Sequence, residues 1–204
     1  MATAAAKPES YVQADPDVRL MLEVQSDNAA AFEELVSRYQ QRLLSVFQLL
    51  VVDKDLSEDL TQEVFLRVYR ARKKYRPKAK FCTWLFTIAN NMASNVRRSQ
   101  KRRERVQYSD AWDAGQVTVP SGLMPARRLE KVEQIEHVRH AIGTLNERQR
   151  LALQLCKFEG MSYAEIGLVM GTTPKAIKSL LARARENLRT ALAPYRRDGS
   201  GLPA

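Results

Sequence analysis

Cysteine is scarce in this sequence: only Cys82 and Cys156 occur among 204 residues. Two distant thiols without a Cys-x-x-Cys pair exclude a disulfide framework and a cysteine zinc site. Long apolar runs are also lacking, and residues 1–10 do not have the apolar core of a secretory signal. We therefore expect no membrane insertion and a cytoplasmic location.

The sequence also lacks the motifs of common enzymes. It has no glycine-rich phosphate loop, no nucleophile elbow and no zinc-protease motif. His137 and His140 are spaced i, i+3 on a predicted helix, but no third ligand follows at a suitable spacing, so no metal site is expected. We expect a protein that is not an enzyme and needs no cofactor.

What the sequence has in excess is positive charge. Thirty-three Lys and Arg against 23 Asp and Glu give a formal net charge of +10, which favours nucleic acid as a partner. The basic residues concentrate between Arg70 and Val106, with thirteen cations and one acid, whereas Pro16 to Leu66 holds ten acids and four cations. Two segments of opposite charge indicate two different partners.

Apolar residues recur with helical spacing and no run alternates as a strand would, so the fold class is predicted as all-α. Helices are predicted at 17–25, 28–50, from Asp55 and at 82–103, with Asp55 and Glu58 as a capping box. Pro120, Gly122 and Pro125 interrupt any long helix after them. The predicted organisation is a flexible arm (1–15), a helical domain (16–106), a flexible linker (107–126), a second helical domain (127–195) and a disordered tail (196–204).

Residues 162–181 of the second domain have the pattern of a helix-turn-helix. Two further capping boxes, Asn146 with Gln149 and Ser162 with Glu165, mark helix starts, and Gly171 can adopt the left-handed conformation that ends a helix. We expect Ala164 to be small because two helices cross there. The following helix should project side chains into a DNA major groove; an ordinary helical hairpin with a basic face is the alternative.

These segments resemble a known family. Residues 145–150, 158–166, 177–179 and 183–185 look like region 4 of bacterial sigma factors, while residues 59–65 and 81–91 look like region 2. The large housekeeping type has additional regions, so the resemblance is to the compact extracytoplasmic-function (ECF) class. It implies a region 2 four-helix domain and a region 4 helix-turn-helix domain, and an alternative sigma factor with core RNA polymerase and promoter DNA as partners, together with a candidate anti-sigma factor.

The resemblance also implies a role for particular residues. The surface that binds core polymerase would comprise Glu58, Asp59, Gln62 and Glu63. Opening and reading of the minus-10 element would use Tyr75, Arg76, Lys80, Phe81, Trp84, Asn91, Arg97 and Arg98. Reading of the minus-35 element would use Thr173, Lys175, Ala176, Lys178, Ser179, Arg183 and Arg185. For Trp84 a place in the core is an equal alternative.

The sequence departs from the family pattern at two places. Leu56 stands where the family usually has an acid, which predicts weaker polymerase binding. One hypothesis is that a regulatory kinase phosphorylates Ser57 or Thr61 and restores the negative charge; the alternative is that both are ordinary helical residues. Leu180 stands where the family often has Arg, so Leu180 is expected to pack or to bind a partner.

Two other function classes stay open from the sequence alone. A stand-alone helix-turn-helix repressor or activator would bind duplex DNA tightly without polymerase. A protein-interaction module would carry its basic surface only incidentally, so that substituting Lys175 or Arg76 would leave transcription unchanged.

Overall fold

The computed structural model describes residues 14–51, 53–106 and 137–196, and side chains within these ranges except at 100–106 and 196. The described residues are helices, turns and loops without a strand, which confirms the all-α fold class. The predicted linker and most of the predicted arm and tail lie outside the described residues.

Within the described ranges, the first domain contains α1 (Pro16–Gln25), α2 (Ala29–Leu50), α3 (Lys54–Ala71) and α4 (Phe81–Val106), with a 3-10 helix at Arg72–Lys74. The second contains α5 (137–143), α6 (Glu147–Lys157), α7 (Tyr163–Met170) and α8 (Pro174–Leu192), and a 3-10 helix at Pro194–Arg196. None of these helices is long and apolar enough to cross a membrane.

The start of α3 differs from the sequence prediction. Asp53, in extended conformation, accepts a hydrogen bond from the Leu56 backbone N–H at 3.1 Å and is the N-cap. Asp55 lies inside the first turn. The predicted capping box of Asp55 and Glu58 is therefore wrong, because a cap must precede the helical backbone rather than belong to it.

The helix starts of the second domain agree with the prediction. Asn146 with Gln149 and Ser162 with Glu165 form the two reciprocal capping boxes. Gly171 ends α7 with a φ of 61°, a left-handed conformation in which a residue without Cβ is unstrained. Thr173 then caps α8, with Pro174 at its first position.

The close approach within the helix-turn-helix is at Gly167, not at Ala164. Ala164 is exposed, so the prediction that it packs at a helix crossing is wrong. A Cβ on buried Gly167 would lie 2.8 Å from the Thr172 carbonyl oxygen. The turn after α7 folds back over this glycine, and the Thr172 N–H donates to the Gly167 carbonyl at 2.9 Å.

One contiguous apolar cluster runs through both domains. Helix α4 packs against α7 and α2 packs against α6, so Phe86 and Phe47 belong to the same cluster as Leu155 and Ile166. Each of these four side chains is almost completely buried. Full burial of such a side chain stabilises the fold by about 1.5–3 kcal/mol relative to exposure.

The contact at Gly167 generates a prediction. Gly167→Ala should lower the free energy of unfolding by about 1–3 kcal/mol, because the new methyl group meets backbone that cannot easily move away. Gly143→Ala is the matched control, since the Cβ there meets nothing within 4 Å. Urea unfolding of both variants measures the difference, and equal stability of the two would contradict the assigned contact.

Candidate nucleic-acid interface

The basic loop between α3 and α4 is held in place by α1 and the turn that follows it. The Gln25 side-chain amide donates to the backbone carbonyls of Lys73 at 3.2 Å and Tyr75 at 3.3 Å. At the other end of the loop, the Phe81 N–H donates to the Asp15 carboxylate at 2.9 Å. The loop is thus tied to both ends of α1, because Gln25 is its last residue and Asp15 is its N-cap.

Asp27 adds an ionic contact to the same loop. Its backbone has a φ of 67°, and its carboxylate accepts hydrogen bonds from Arg72 at 3.0 Å and from Lys73. These hydrogen bonds, Lys73 first and then Arg72, lower the pKa of Asp27. Two cations of the basic segment are therefore engaged within the protein, which sequence charge counting could not reveal.

A cavity of about 550 Å³ opens beside this loop. The Tyr75 and Trp84 rings on its wall lie 4.9 Å apart between centroids. The Tyr75 and Thr83 hydroxyls are buried without a hydrogen-bond partner among the described residues. Burial raises the pKa of Tyr75, which keeps its phenol a neutral donor. An aromatic side chain on a cavity wall suits a planar ligand.

The predicted minus-10 residues are split between core and surface. Phe81 is fully buried and Tyr75 is 4% exposed, so neither presents an open ring face to solvent. Trp84 is half-buried, and Arg76 and Lys80 are exposed. Phe81 supports the site from behind, with its ring centroid 6.0 Å from that of Trp84.

Farther along α4, Asn91 and Arg98 are exposed, whereas Arg97 is half-buried and paired with Glu147 of the second domain. Asn90, the neighbour of Asn91, donates to the backbone carbonyl of Val169 at 3.0 Å. The helix therefore turns Asn90 towards the second domain and Asn91 towards solvent. Asn91, to which the resemblance assigns a DNA contact, is thus the more exposed of these two adjacent amides.

The predicted polymerase surface lies on the outer face of α3. Glu58, Asp59 and Gln62 are exposed, and half-buried Glu63 pairs with Arg67 at 2.9 Å. The same face continues into two large apolar side chains that the sequence analysis missed: Leu66, 49% exposed, and Tyr69, 41% exposed. Their one-turn spacing after Gln62 is the signal that could have found them.

The candidate phosphosites Ser57 and Thr61 face inward. Ser57 is fully buried and Thr61 is 7% exposed. The Ser57 hydroxyl donates to the Asp53 carbonyl and the Thr61 hydroxyl to the Ser57 carbonyl, each at 2.8 Å. A kinase would need the start of α3 to open first, because both hydroxyls are enclosed and engaged with the helix backbone.

The predicted minus-35 residues share one surface of α8 and its cap. All seven are exposed: Thr173, Lys175, Ala176, Lys178, Ser179, Arg183 and Arg185. The side chains on the other face, Ile177, Leu181 and Ala184, are buried and anchor α8 to the domain. The helix therefore presents a basic and polar surface of the kind that enters a major groove.

A second cavity, of about 610 Å³, lies between α8 and the start of α6. Its walls include Ala176, Arg183 and half-buried Leu180 from α8. Exposed Arg148 from α6 lies on the same cavity and was missed by the sequence analysis as a site residue. Leu180 thus contributes apolar surface between two cations.

His137, one of the two histidines considered as metal ligands, contacts an aromatic ring. The His137 ring stacks on Tyr195 with centroids 3.7 Å apart. Within the described ranges, no group of three or more His, Cys, Asp or Glu side chains is arranged to hold a metal ion.

Ion pairs join the first domain to the second. Lys80 pairs with Glu165 at 2.9 Å and Arg42 pairs with Glu159 at 2.6 Å. The Glu159 side chain is only 3% exposed. Burial by itself lowers the pKa of Arg42, but the hydrogen bond to Glu159, the charge of Glu159 and the contact with Tyr39 together outweigh burial and raise it.

Comparison with known proteins identifies both domains. The family model for Sigma-70 region 2 matches residues 35–103, and that for Sigma-70 region 4 matches residues 135–188. The RNA polymerase sigma-H factor of Pseudomonas aeruginosa is 34% identical over 188 residues, which cover 90% of this chain and 97% of that protein. The ECF RNA polymerase sigma-E factor of Escherichia coli K12 is 32% identical, covering 87% and 95%.

Solved structures share the fold. The structure of CnrH in complex with the cytosolic domain of CnrY matches with a TM-score of 0.62 and 24% identity, over 88% of this chain and 99% of that one. The sigma factor RpoE of Bartonella quintana, solved with the anti-sigma factor NepR, matches with a TM-score of 0.65 and 21% identity, over 79% and 96%.

Glu165 makes the domain contact dependent on pH. Burial tends to raise the pKa of Glu165, but hydrogen bonds from Ser162 and Lys80 outweigh burial and lower it below its usual 4.5. Its stabilisation is therefore complete above pH 4.5 and is lost as the pH falls through the lower folded value. Urea unfolding should show wild type more stable than Glu165→Gln at pH 7, with the gap closing in acid. A pH-independent gap would contradict this assignment.

Proposed function

Because this chain belongs to the extracytoplasmic-function class of the sigma-70 family, we propose that its two domains divide promoter recognition between them. The protein is an alternative sigma factor, which binds core RNA polymerase and directs promoter-specific transcription initiation. The relatives lend no support to a stand-alone repressor or activator. We further propose that it acts in the cytoplasm and catalyses no reaction itself, since the polymerase carries out the chemistry.

The cavity beside the basic loop is the observation that supports assigning a separate promoter element to each domain. Promoter opening needs an unpaired base to be trapped, which costs a few kcal/mol and calls for aromatic and cationic side chains together. Half-buried Trp84 on the cavity wall supplies the aromatic surface, with the Tyr75 ring packed against it, and exposed Arg76 on the same wall supplies charge. In this proposal the first domain, residues 16–106, opens and reads the minus-10 element.

The second domain, residues 127–195, reads the minus-35 element in this proposal. Lys175 and Ser179 on the exposed surface of α8 are placed to reach base edges. Arg183 and Arg148 beside the second cavity are placed to contact phosphates and fix the position of the helix. The linker, 107–126, would allow the two domains to engage elements at a distance from each other.

Core polymerase would bind the acidic face of α3. Three exposed polar side chains, Glu58, Asp59 and Gln62, form its charged part, and Leu66 and Tyr69 extend it with apolar surface. Apolar and aromatic side chains within a charged rim are the usual composition of a protein interface. The two solved relatives, in complex with CnrY and with the anti-sigma factor NepR, suggest an anti-sigma factor as a further partner.

Phosphorylation of Ser57 or Thr61 by a regulatory kinase stays a hypothesis, and it requires both the kinase and the phosphate to overcome the burial of these hydroxyls. The phosphate would have to leave the buried position that each hydroxyl occupies. The first turn of α3 would rearrange and place new negative charge beside Glu58 and Asp59. Equal polymerase affinity of wild type, Ser57→Asp and Thr61→Asp would contradict the hypothesis.

In vitro transcription tests the function directly. Purified core polymerase is supplied with a library of genomic promoter fragments, with and without this protein. Protein-dependent transcripts that share upstream sequence elements are expected. If the protein bound duplex DNA tightly but neither bound polymerase nor supported transcripts, the sigma-factor assignment would be wrong.

Charge reversal on α3 should weaken polymerase binding. We expect Asp59→Lys to lower the affinity for core polymerase by about tenfold or more, because a like charge would face the basic partner surface. Glu33→Lys on α2, also exposed, is the matched control with the same charge change. Fluorescence anisotropy of labelled protein against core polymerase measures both, and equal losses would remove α3 from the interface.

Substitutions on α8 should separate base contacts from phosphate contacts. Lys175→Ala should reduce transcription from cognate promoters by about five- to a hundredfold, the range for one lost base contact. Arg183→Ala should weaken binding to all sequences alike and reduce the salt slope by about one. Lys157→Ala, exposed at the end of α6, is the control. Transcription and binding assays over a range of salt distinguish the two classes, and identical behaviour of all three would refute the assignment.

A further inference from the structure

Asp15 caps two helices at once. It is the N-cap of α1, where one carboxylate oxygen accepts a hydrogen bond from the Asp17 N–H at 3.0 Å. Its other carboxylate oxygen accepts from the N–H of Phe81, the first residue of α4, at 2.9 Å. The first N–H groups of a helix have no partner within that helix, and the helix dipole favours a carboxylate beside them. Half-buried Asp15 thus serves the starts of two helices and connects positions 66 residues apart in the chain.

The sequence at the start of α4 does not supply such a cap locally. The residue before the helix is Lys80, whose ammonium group donates hydrogen bonds but cannot accept them. The first turn of α4 contains no acidic side chain. The start of α4 is therefore fixed by Asp15, which belongs to another helix. Trp84 lies one turn into α4, so the position of its ring depends on the same contact.

Helix α1 holds the other end of the basic loop through its last residue, Gln25. Besides the two hydrogen bonds that the Gln25 amide donates, the Lys73 ammonium donates to the Gln25 backbone carbonyl at 2.9 Å. Helix α1 is ten residues long, which corresponds to about 15 Å. The chain from Tyr75 to Phe81 reaches about 20 Å when it is fully extended. Because its ends are attached to the two ends of α1, the loop has little slack.

We propose that α1 is a strut that holds the loop of residues 75–81 ready for promoter opening, with Asp15 and Gln25 as positioning residues. The proposal rests on the proposed function of the minus-10 surface. Asp15 and Gln25 act through the loop, which presents Arg76, and through α4, which presents Trp84. Both positioning residues lie outside the segment that the Sigma-70 region 2 model matches. A loop that is already held in its binding conformation loses less entropy when it traps an unpaired base.

The substitution Asp15→Asn separates the two caps. Asparagine is as good an N-cap as aspartate, so its side-chain oxygen can keep the contact with α1. Its amide nitrogen only donates, so the contact with the Phe81 N–H is lost. Asp53→Asn is the matched control, because it makes the same change of charge at the N-cap of α3 and leaves the hydrogen bond from the Leu56 N–H in place.

The measurements use holoenzyme assembled from the full chain and core polymerase. The DNA is the fragment transcribed most strongly in the transcription assay, with 2-aminopurine in its minus-10 element, whose fluorescence reports base unstacking. Asp15→Asn and Gln25→Ala should each slow promoter opening by about three- to tenfold. Their affinities for core polymerase and for the upstream duplex of the fragment should stay at the wild-type level. Asp53→Asn should open the promoter as fast as wild type.

A merely structural role would give a different pattern. Partial unfolding lowers the affinities for core polymerase and for the upstream duplex together with the rate of opening. The proposal is overturned if Asp15→Asn and Gln25→Ala open the promoter at the wild-type rate, or if equal losses of both affinities accompany slower opening. If Asp15→Asn does not fold, Gln25→Ala decides by the same criteria, since Gln25 is the last residue of α1 and its loss leaves the caps intact.

Combining the two substitutions tests whether the strut acts as a unit. Once one end of the loop is released, release of the other end should add little, so the double variant should open the promoter at about the rate of the slower single variant. Losses that multiply would indicate two independent local contacts and would contradict the strut. Absence of opening by wild-type holoenzyme would contradict the proposed function instead.

Discussion

Packing of α4 against both domains is the contact on which the rest of the structure depends. The first half of this helix belongs to the apolar cluster, with Phe81, Leu85 and Phe86 almost completely buried. Because those side chains fix the rotation of α4 about its axis, they also decide that Asn91 and Arg98 face solvent while Asn90 and Arg97 face the second domain. Core packing thus decides which side chains of α4 belong to the surface that we propose binds DNA.

The loop before α4 contains a cluster of positive charges that the acidic segment partly neutralises. A run of cations repels itself, and here the acidic segment supplies the compensation, with Asp27 holding Arg72 and Lys73. Gln25 fixes the backbone of the same loop through two carbonyls. Exposed cations of the loop such as Arg76 and Lys78 are therefore presented from a braced loop, which reduces the entropy lost on binding a ligand.

Charge also connects the stability of the chain with its function. In a protein with a net charge of +10, carboxylates that meet cations across a domain boundary stabilise the compact form and lower the local positive potential. Lys80 and Arg42 are the cations of the first domain at two of these contacts, with Glu165 and Glu159 as their partners.

Local signals in the sequence determined the helices, the capping boxes at Asn146 and Ser162, the left-handed Gly171 and the outward face of α8, because each depends on residues within one or two turns. The segregation of charge was likewise visible without a structure. The choice of Asp53 rather than Asp55 as the cap of α3 is also local, and the sequence prediction misplaced it by two residues. Tertiary packing decided that Gly167 and not Ala164 takes the close contact and that Ser57 and Thr61 are enclosed. It also decided that Tyr75 and Phe81 are buried while Trp84 is only half-buried. The partners of Lys80, Arg42 and Asn90 lie 79 to 117 residues away in the chain, and contacts over such separations arise from how helices pack and leave no local pattern.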